Sequence, residues 1–157
     1  MALPPRWVSL SKRVLTLVAI AIEASLGRRE RYYLDSTTGE WRLDHVDDLP
    51  WPVNYGFIPG THSGDGEALD AVLLNVAGVL ATTTVEGNLI GVIPRTDGDH
   101  KLIAVLPGDP VYGHIDDVAR LNPADRALLE EFFSQQAPIV RWGGPEEAQR
   151  ILADARV

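Results

Sequence analysis

Three carboxylates follow a glycine-containing turn in the segment DGEALD, where Asp65, Glu67 and Asp70 lie close together. Asp65 and Glu67 are two positions apart, so their side chains point the same way in extended backbone. Asp70 stands at the entry to the apolar segment DAVLL, where a strand would hold its side chain firmly. Oxygen ligands of this kind are typical of a site for a hard divalent cation.

A second acidic pair lies further along the chain in PRTDGDHK, where Asp97 and Asp99 precede Lys101. The chain has no cysteine, so thiolate metal sites and disulfides are excluded, and magnesium is expected before calcium or zinc. Two such clusters close together could hold two ions that activate water and bind phosphoryl oxygens. Spacing alone leaves open the alternative of two solvated acidic loops without a ligand.

The composition is that of a soluble globular protein, and the length predicts one domain over residues 1–157. The formal net charge is −8, from 22 acidic and 14 basic residues. This balance argues against a nucleic-acid or anionic-membrane partner, either of which requires a broad basic face. It suits a protein whose excess carboxylates are neutralised by divalent cations.

The N-terminal segment has some features of a short signal peptide, since Lys12 and Arg13 precede the apolar run VLTLVAIAI. That run passes directly into Glu23 and the charged RRERYY, and it is too short to span a bilayer. Large and small apolar residues alternate over residues 15–23, which predicts a core strand that ends at Glu23. The expected location is cytoplasmic.

The middle of the chain predicts further short strands. RERYYLD and WRLDHV flank STTGE, which predicts a hairpin that turns at Gly39. DLPWPVNYGFIPG predicts an irregular but packed connection because of its prolines and glycines. More strands are predicted at residues 71–75, in a stretch ending near Val85, at 89–93 and at 101–106. The tryptophans Trp41, Trp51 and Trp142 are expected in the core.

The last third of the chain predicts two helices. Asn122 and Pro123 suit an N-cap and a first-turn proline for the helix PADRALLEEFFSQQ. Its expected buried stripe consists of Leu128, Leu129, Phe132 and Phe133. PIVRW predicts a short strand, and PEEAQRILADARV predicts the final helix. The fold class is therefore α+β, mainly β with flanking helices, and the architecture is a small barrel with helices packed outside it.

Three segments, in this order, resemble the family I soluble inorganic pyrophosphatases: NYGFIPGT, DGEALDAVLL, and IGVIPRTDGDHKLIAVLPGDPVYGHIDDV. The resemblance begins near Val18 and continues to the end of the chain. It implies a small closed OB-like five-stranded β-barrel with C-terminal helices. It also implies Mg²⁺ as cofactor, pyrophosphate as small-molecule substrate, and a homo-oligomer, commonly a hexamer in bacteria.

The resemblance also implies roles for individual residues. Asp65, Asp70 and an aspartate of the later turn, Asp97 or Asp99, would bind magnesium, and Glu23 matches a glutamate at the end of the family's first strand. The implied catalytic residues act on water or on phosphate. Glu67 would orient or deprotonate the attacking water, Tyr55 would bond near the nucleophile, and Lys101 and Arg31 would neutralise phosphate oxygens.

Several positions depart from the family pattern. Glu67 replaces an aspartate, Tyr33 a glutamate, and His45 an arginine, while Gln136 and Ala137 replace a tyrosine–lysine pair. Two alternatives to an efficient pyrophosphatase follow from these changes. One is a pyrophosphatase-like protein with weak or lost turnover that binds metal and phosphate, and the other is a hydrolase of another phosphoanhydride. Arginines that could replace the missing cations are Arg28, Arg29, Arg42 and Arg95.

Overall fold

The computed structural model describes residues 15–64 and 66–157. Lys12 and Arg13 of the N-terminal segment, and the expected metal ligand Asp65, lie outside the described residues. In the part of the chain that is described, no helix has the length and apolar character needed to cross a membrane.

The described residues form seven β-strands followed by two α-helices. The strands are β1 (Leu17–Ala24), β2 (Glu30–Leu34), β3 (Trp41–Val46), β4 (Asn54–Phe57), β5 (Asp70–Leu74), β6 (Thr84–Ile93) and β7 (Lys101–Val105). The helices are α1 (Pro123–Ser134) and α2 (Pro145–Ala155), and a short 3₁₀ turn at Val118–Arg120 precedes them.

Five of the strands close into a barrel. The sheet order is β3-β2-β1-β4-β5-β7-β6, and β6 pairs back onto β1. The neighbouring pairs in the barrel are antiparallel except β5 and β7, which run parallel. The hairpin of β2 and β3 extends the sheet beyond β1. The expected five-stranded barrel with C-terminal helices is therefore confirmed.

The two helices cover the barrel as amphipathic elements. Asn122 caps the N-terminus of helix α1, where its side chain accepts a hydrogen bond from the backbone N–H of Ala124 at 2.8 Å. It buries Leu129 and Phe133, whereas Leu128 is 42% exposed, so the expected stripe is narrower than predicted. Helix α2 packs Ala148 and Leu152 into the cluster that contains the apolar residues of β1.

Three predicted elements are wrong in detail. The connection over residues 50–60 contains β4, because its backbone groups pair with both β1 and β5. The two stretches predicted around 85 and 89–93 form one strand, β6, in which a Cβ at Gly87 would lie 3.0 Å from three side chains. Residues 138–142 form no strand, and the neighbouring Gly143 makes only an isolated bridge with Val92.

Candidate active site

A buried lysine lies at the centre of a polar cluster at one end of the barrel. Lys101 is only 2% exposed. Its Nζ donates hydrogen bonds to Oδ2 of Asp70 at 2.5 Å, to Oδ1 of Asp99 at 2.9 Å and to Oη of Tyr55 at 3.1 Å. A buried ammonium is tolerated only where charged or polar partners surround it, and these three side chains supply them.

Strand register brings these residues together. In the parallel pair of β5 and β7, Asp70 lies directly opposite Lys101. In the antiparallel pair of β4 and β5, Tyr55 lies opposite Val72, two positions from Asp70 and so on the same face. Three strands thus contribute one polar side chain each to a single point of the barrel.

Tyr55 contributes a buried aromatic ring to the cluster, 5.7 Å from Nζ of Lys101. The residue is 3% exposed, and its hydroxyl donates to the Asp70 carboxylate while it accepts from Lys101. Burial, together with the negative charge of Asp70, raises the pKa of Tyr55 far above its ordinary value. The hydroxyl therefore stays protonated and remains a hydrogen-bond donor at neutral pH.

Glu23 adds a further, partly buried carboxyl to the same region. Burial raises the pKa of Glu23 to about 7, Arg31 and Lys101 oppose this shift, and Asp70 and Asp44 reinforce it. Burial likewise raises the pKa of Asp70, against the opposing charge of Lys101. Among the described residues of this cluster, the carboxyl groups of Glu23, Asp70 and Asp99 outnumber the cations of Lys101 and Arg31.

Arg31 lies over two aromatic rings. Its Cζ is 5.5 Å from the ring centroid of Trp51 and 5.5 Å from that of Tyr55. The two rings are themselves stacked, with centroids 5.2 Å apart and an interplanar angle of 27°. A guanidinium at this distance from aromatic faces is attracted to them by cation–π interactions.

The two acidic loops touch each other through glycines. A Cβ on Gly98 would lie 2.8 Å from Cα of Gly64, and a Cβ on Gly64 would lie 3.2 Å from Cα of Gly98. Gly98 also has a φ of +85°, which disfavours any side chain there. The loop that contains Glu67 and the turn that contains Asp99 therefore meet at a contact that only small residues allow.

The two aspartates of the later turn differ in their contacts. Asp99 binds Lys101, whereas Oδ1 of Asp97 accepts a hydrogen bond from the backbone N–H of Asp99 at 3.0 Å. The sequence could not separate these two residues, and the structure brings Asp99 to the buried cluster. Glu67 is exposed, and its backbone carbonyl accepts hydrogen bonds from the backbone and hydroxyl of Ser63 at 2.7 and 2.9 Å.

The donor set fits a hard divalent cation in its chemistry. Within residues 15–64 and 66–157, no group of three or more histidine, aspartate or glutamate side chains forms a ready-made metal cluster. The carboxylates of Asp70 and Asp99 instead both bind the ammonium group of Lys101. Glu23 lies close enough for the charges of Asp70 and Lys101 to change its pKa. Oxygen donors with a surplus of negative charge are the ligands that such cations prefer.

The sequence assigned no function to Trp51 and left His45 open between a substrate contact and a surface residue. Trp51 was expected simply in the core, yet it carries Arg31 and its Nε1 donates to Oδ2 of Asp47 at 2.8 Å. His45 lies between two carboxylates, with its ring nitrogens 3.0 Å from Asp44 and 2.9 Å from Asp47. The alternation of charged residues at the end of WRLDHVDD was the signal that could have identified this group.

Three of the four arginines considered as replacement cations have other partners, and Arg29 is exposed. Arg28 pairs with Glu30 at 3.4 Å, and Arg42 pairs with Asp35 at 3.2 Å. Arg95 is 9% exposed, and its Nη2 donates to the backbone carbonyl of a residue in α1 at 2.9 Å. Arg31 is the arginine that the structure brings to Tyr55 and Glu23.

Comparison with known proteins identifies relatives. Residues 20–156 match the family model described as inorganic pyrophosphatase. The chain is 34% identical over 151 residues to an inorganic pyrophosphatase of Corynebacterium efficiens, covering 88% of this chain and 95% of that one.

Solved structures show the same fold. The inorganic pyrophosphatase from Thermus thermophilus superposes with a TM-score of 0.77 at 25% identity, covering 88% of each chain. The enzyme from Ehrlichia chaffeensis gives a TM-score of 0.81 at 24% identity and covers 92% of this chain and 96% of that one. The family resemblance stated from the sequence is thereby confirmed.

Proposed function

Because the chain belongs to the inorganic pyrophosphatase family, we propose that it hydrolyses inorganic pyrophosphate to two phosphates with Mg²⁺ as cofactor. The observation that carries this proposal is the buried ammonium of Lys101, which donates hydrogen bonds to Asp70, Asp99 and the hydroxyl of Tyr55. Family membership implies a divalent metal, and the choice of magnesium rests on the oxygen-only donor set.

Two cationic side chains bind the substrate in this proposal. Pyrophosphate is small and highly charged, so its affinity and the stabilisation of its transition state come from positive charge. The guanidinium of Arg31 binds phosphate oxygens through its planar N–H edge. Lys101 neutralises the negative charge of the phosphate oxygens, and Asp70 and Asp99 hold the lysine ammonium in place.

Carboxylates hold the metal and take up the proton. Asp65, Asp70, Glu23 and the later turn would hold the divalent cation, with Asp99 favoured over Asp97 because it reaches the buried cluster. When bound, the metal lowers the pKa of water so that hydroxide is available near neutral pH. Glu67 accepts the proton of the attacking water, and the hydroxyl of Tyr55 donates a hydrogen bond that orients the nucleophile or its carboxylate neighbours.

The direct test is release of inorganic phosphate from pyrophosphate by the purified full chain, with magnesium and with excess chelator. We expect two phosphates for each pyrophosphate consumed, and no release after chelation. Folded protein that releases no phosphate with magnesium would refute the proposal.

Two alternatives follow from the altered residues. A protein with weak or lost turnover would bind magnesium and pyrophosphate in a calorimeter but release phosphate no faster than a site variant. A hydrolase of another phosphoanhydride would prefer a different member of a substrate panel. The exposure of Glu67, which contrasts with the buried Lys101, is the observation that keeps both alternatives in the test.

The proposal includes the organisation of the protein. We place all 157 residues in a single pyrophosphatase-like domain that acts in the cytoplasm as a homo-oligomer, with a hexamer as the first expectation. Light scattering coupled to size-exclusion chromatography measures the assembly directly. A monomer that is fully active would contradict the oligomer.

A further inference from the structure

A continuous set of hydrogen bonds connects His45 to the aromatic surface under Arg31. Nε2 of His45 lies 2.9 Å from Oδ1 of Asp47, and Oδ2 of the same aspartate accepts from Nε1 of Trp51 at 2.8 Å. The other ring nitrogen, Nδ1, lies 3.0 Å from Oδ2 of Asp44. One carboxylate thus joins the imidazole to the indole.

The indole ring of Trp51 is held in place by aromatic neighbours. It is 9% exposed, stacks on Tyr55 and contacts Phe132 edge-on, with ring centroids 5.3 Å apart at 60°. The bond to Asp47 sets the remaining freedom of the indole, namely its rotation within the stack. Because Cζ of Arg31 lies 5.5 Å from the centroid of the Trp51 indole, the orientation of that ring influences where the guanidinium lies.

The pairing of two strands also brings His45 close to Arg31. Arg31 and His45 are directly opposite each other in the antiparallel pair of β2 and β3. Cross-strand neighbours lie on the same face of a sheet, so His45 and Arg31 are near each other through the ladder as well as through Trp51. The charged groups that face His45 are Asp44 and Asp47 on its own segment and Arg31 on the facing strand.

His45 has no free N–H for a phosphate oxygen. Hydrogen bonding to two carboxylates raises the pKa of His45, and each of its ring nitrogens lies within 3.0 Å of a carboxylate oxygen. Arg31 forms no ion pair with a carboxylate among the described residues, although its charge acts on Glu23. These two residues therefore serve different purposes.

We propose that His45 is a positioning residue for substrate binding: through Asp47 and Trp51 it fixes the guanidinium of Arg31 for pyrophosphate. This inference rests on the proposed function. It assigns to His45 a task in affinity rather than in chemistry, since a group that orients a binding residue acts equally on bound substrate and transition state.

The test uses three variants that each break the connection at one point: His45→Gln, Asp47→Asn and Trp51→Phe. The last keeps an aromatic six-membered ring and removes the indole N–H together with the pyrrole part of the ring. We expect each variant to raise KM for pyrophosphate about five- to tenfold, with kcat within about twofold, because one hydrogen bond of modest net energy is lost. His114→Gln, at an exposed histidine elsewhere, should leave both constants unchanged.

A double variant and a binding measurement make the test decisive. Combining His45→Gln with Trp51→Phe should raise KM no more than either change alone, because both break the same connection. Unchanged KM values, effects that multiply, or losses confined to kcat would each overturn the inference.

Circular dichroism and urea unfolding establish that each variant is folded, and the near-isosteric Asp47→Asn serves if another variant is not. If the wild type releases no phosphate, the proposed function fails separately, and calorimetric titration with pyrophosphate and magnesium decides the inference. A Kd raised in the three variants would support it. Equal Kd values, or no binding by the wild type, would overturn it.

Discussion

Asp70 and Lys101 lie opposite each other on parallel strands, and the carboxylate oxygen of the first is 2.5 Å from the ammonium of the second. The Lys101 side chain is 2% exposed and that of Asp70 is 22% exposed, so the ammonium is shielded from solvent and the carboxylate partly so. A charge pair in such a place is costly to desolvate and stabilises the fold little in comparison with apolar residues. The proposed roles of Asp70 in metal binding and of Lys101 in phosphate binding would account for a charge pair at this end of the barrel.

Lys101→Met tests the buried ammonium. The change leaves Asp70 and Asp99 without their cation, which should destabilise the metal-free protein by about 3 kcal/mol at neutral pH. The loss should shrink in acid as Asp70 takes up a proton. Urea unfolding at pH 7 and pH 5 with chelator measures this. Equal stability of variant and wild type at pH 7 would show that the ammonium does not compensate these carboxylates.

Glu23→Gln tests the buried carboxyl. The pKa of Glu23 is about 7 in the folded chain and 4.5 as its reference value, because burial favours the protonated form. The native state therefore holds more protons between these values, and Glu23 makes the protein less stable as pH rises through that range. Above pH 7 the penalty is fully present, at about 3 kcal/mol or less.

The Glu23→Gln variant lacks this penalty. Without metal, it should be about as stable as the wild type near pH 4.5 and more stable by about 2–3 kcal/mol at pH 8. Urea unfolding at both pH values measures the difference. Glu86→Gln, at an exposed glutamate of β6, is the matched control and should show no such pH dependence. A Glu23→Gln difference that is the same at both pH values would contradict the assignment.

Gly98→Ala tests the contact between the acidic loops. The added methyl would lie 2.8 Å from Cα of Gly64 and would separate the loops. We expect a fall in kcat/KM on the order of 10²-fold, because a displacement of about 1 Å in a catalytic group has that effect. Steady-state phosphate release measures it.

Gly108→Ala separates this contact from backbone strain. Gly108 has a φ of +83°, close to that of Gly98, but its Cβ would meet nothing within 4 Å. This variant should lose about 1–2 kcal/mol of stability while keeping its activity. If both glycine variants lose activity equally, the loop contact has no special role.

Asn54→Ala tests how β4, which carries Tyr55, is fixed. Oδ1 of Asn54 accepts from the backbone N–H groups of Leu26 and Val79 at 2.9 Å each, and its Nδ2 donates to Asn75 at 2.6 Å. Removing a buried group that satisfies several partners should cost about 2–4 kcal/mol of unfolding free energy. Asn122→Ala, at the exposed N-cap of α1, should cost only about 1 kcal/mol. Similar losses for the two asparagines in thermal or urea unfolding would contradict this account.

The strands and helices could be predicted where one segment contained the whole signal. The alternation in β1 and the proline-initiated helices are local patterns, and all of these elements form. Strand β4 was missed because its stability comes from pairing with β1 and β5, which overrides the local preference of its prolines and glycines. Segment 138–142 failed for the opposite reason, since its strand-like residues have no ladder to join.

The site was predicted unevenly for a similar reason. Asp70, Lys101 and Tyr55 came from motifs, and strand register brings these three side chains together. Trp51 was assigned to the core because an indole is largely apolar, and only the fold shows its donor on Asp47 and its face under Arg31. Long-range register and the polar edge of a buried ring are not visible in a short sequence window.

The most direct test of the account is phosphate release from pyrophosphate with magnesium by the wild type and by Asp70→Asn. Asp154→Asn, at an exposed aspartate of α2, is the control for an amide substitution. The account predicts magnesium-dependent release by the wild type and by Asp154→Asn, and a loss of about 10³-fold or more in Asp70→Asn, where the charge that holds Lys101 and the metal is gone. Release by Asp70→Asn at the wild-type rate would contradict the claim that this buried cluster is the active site.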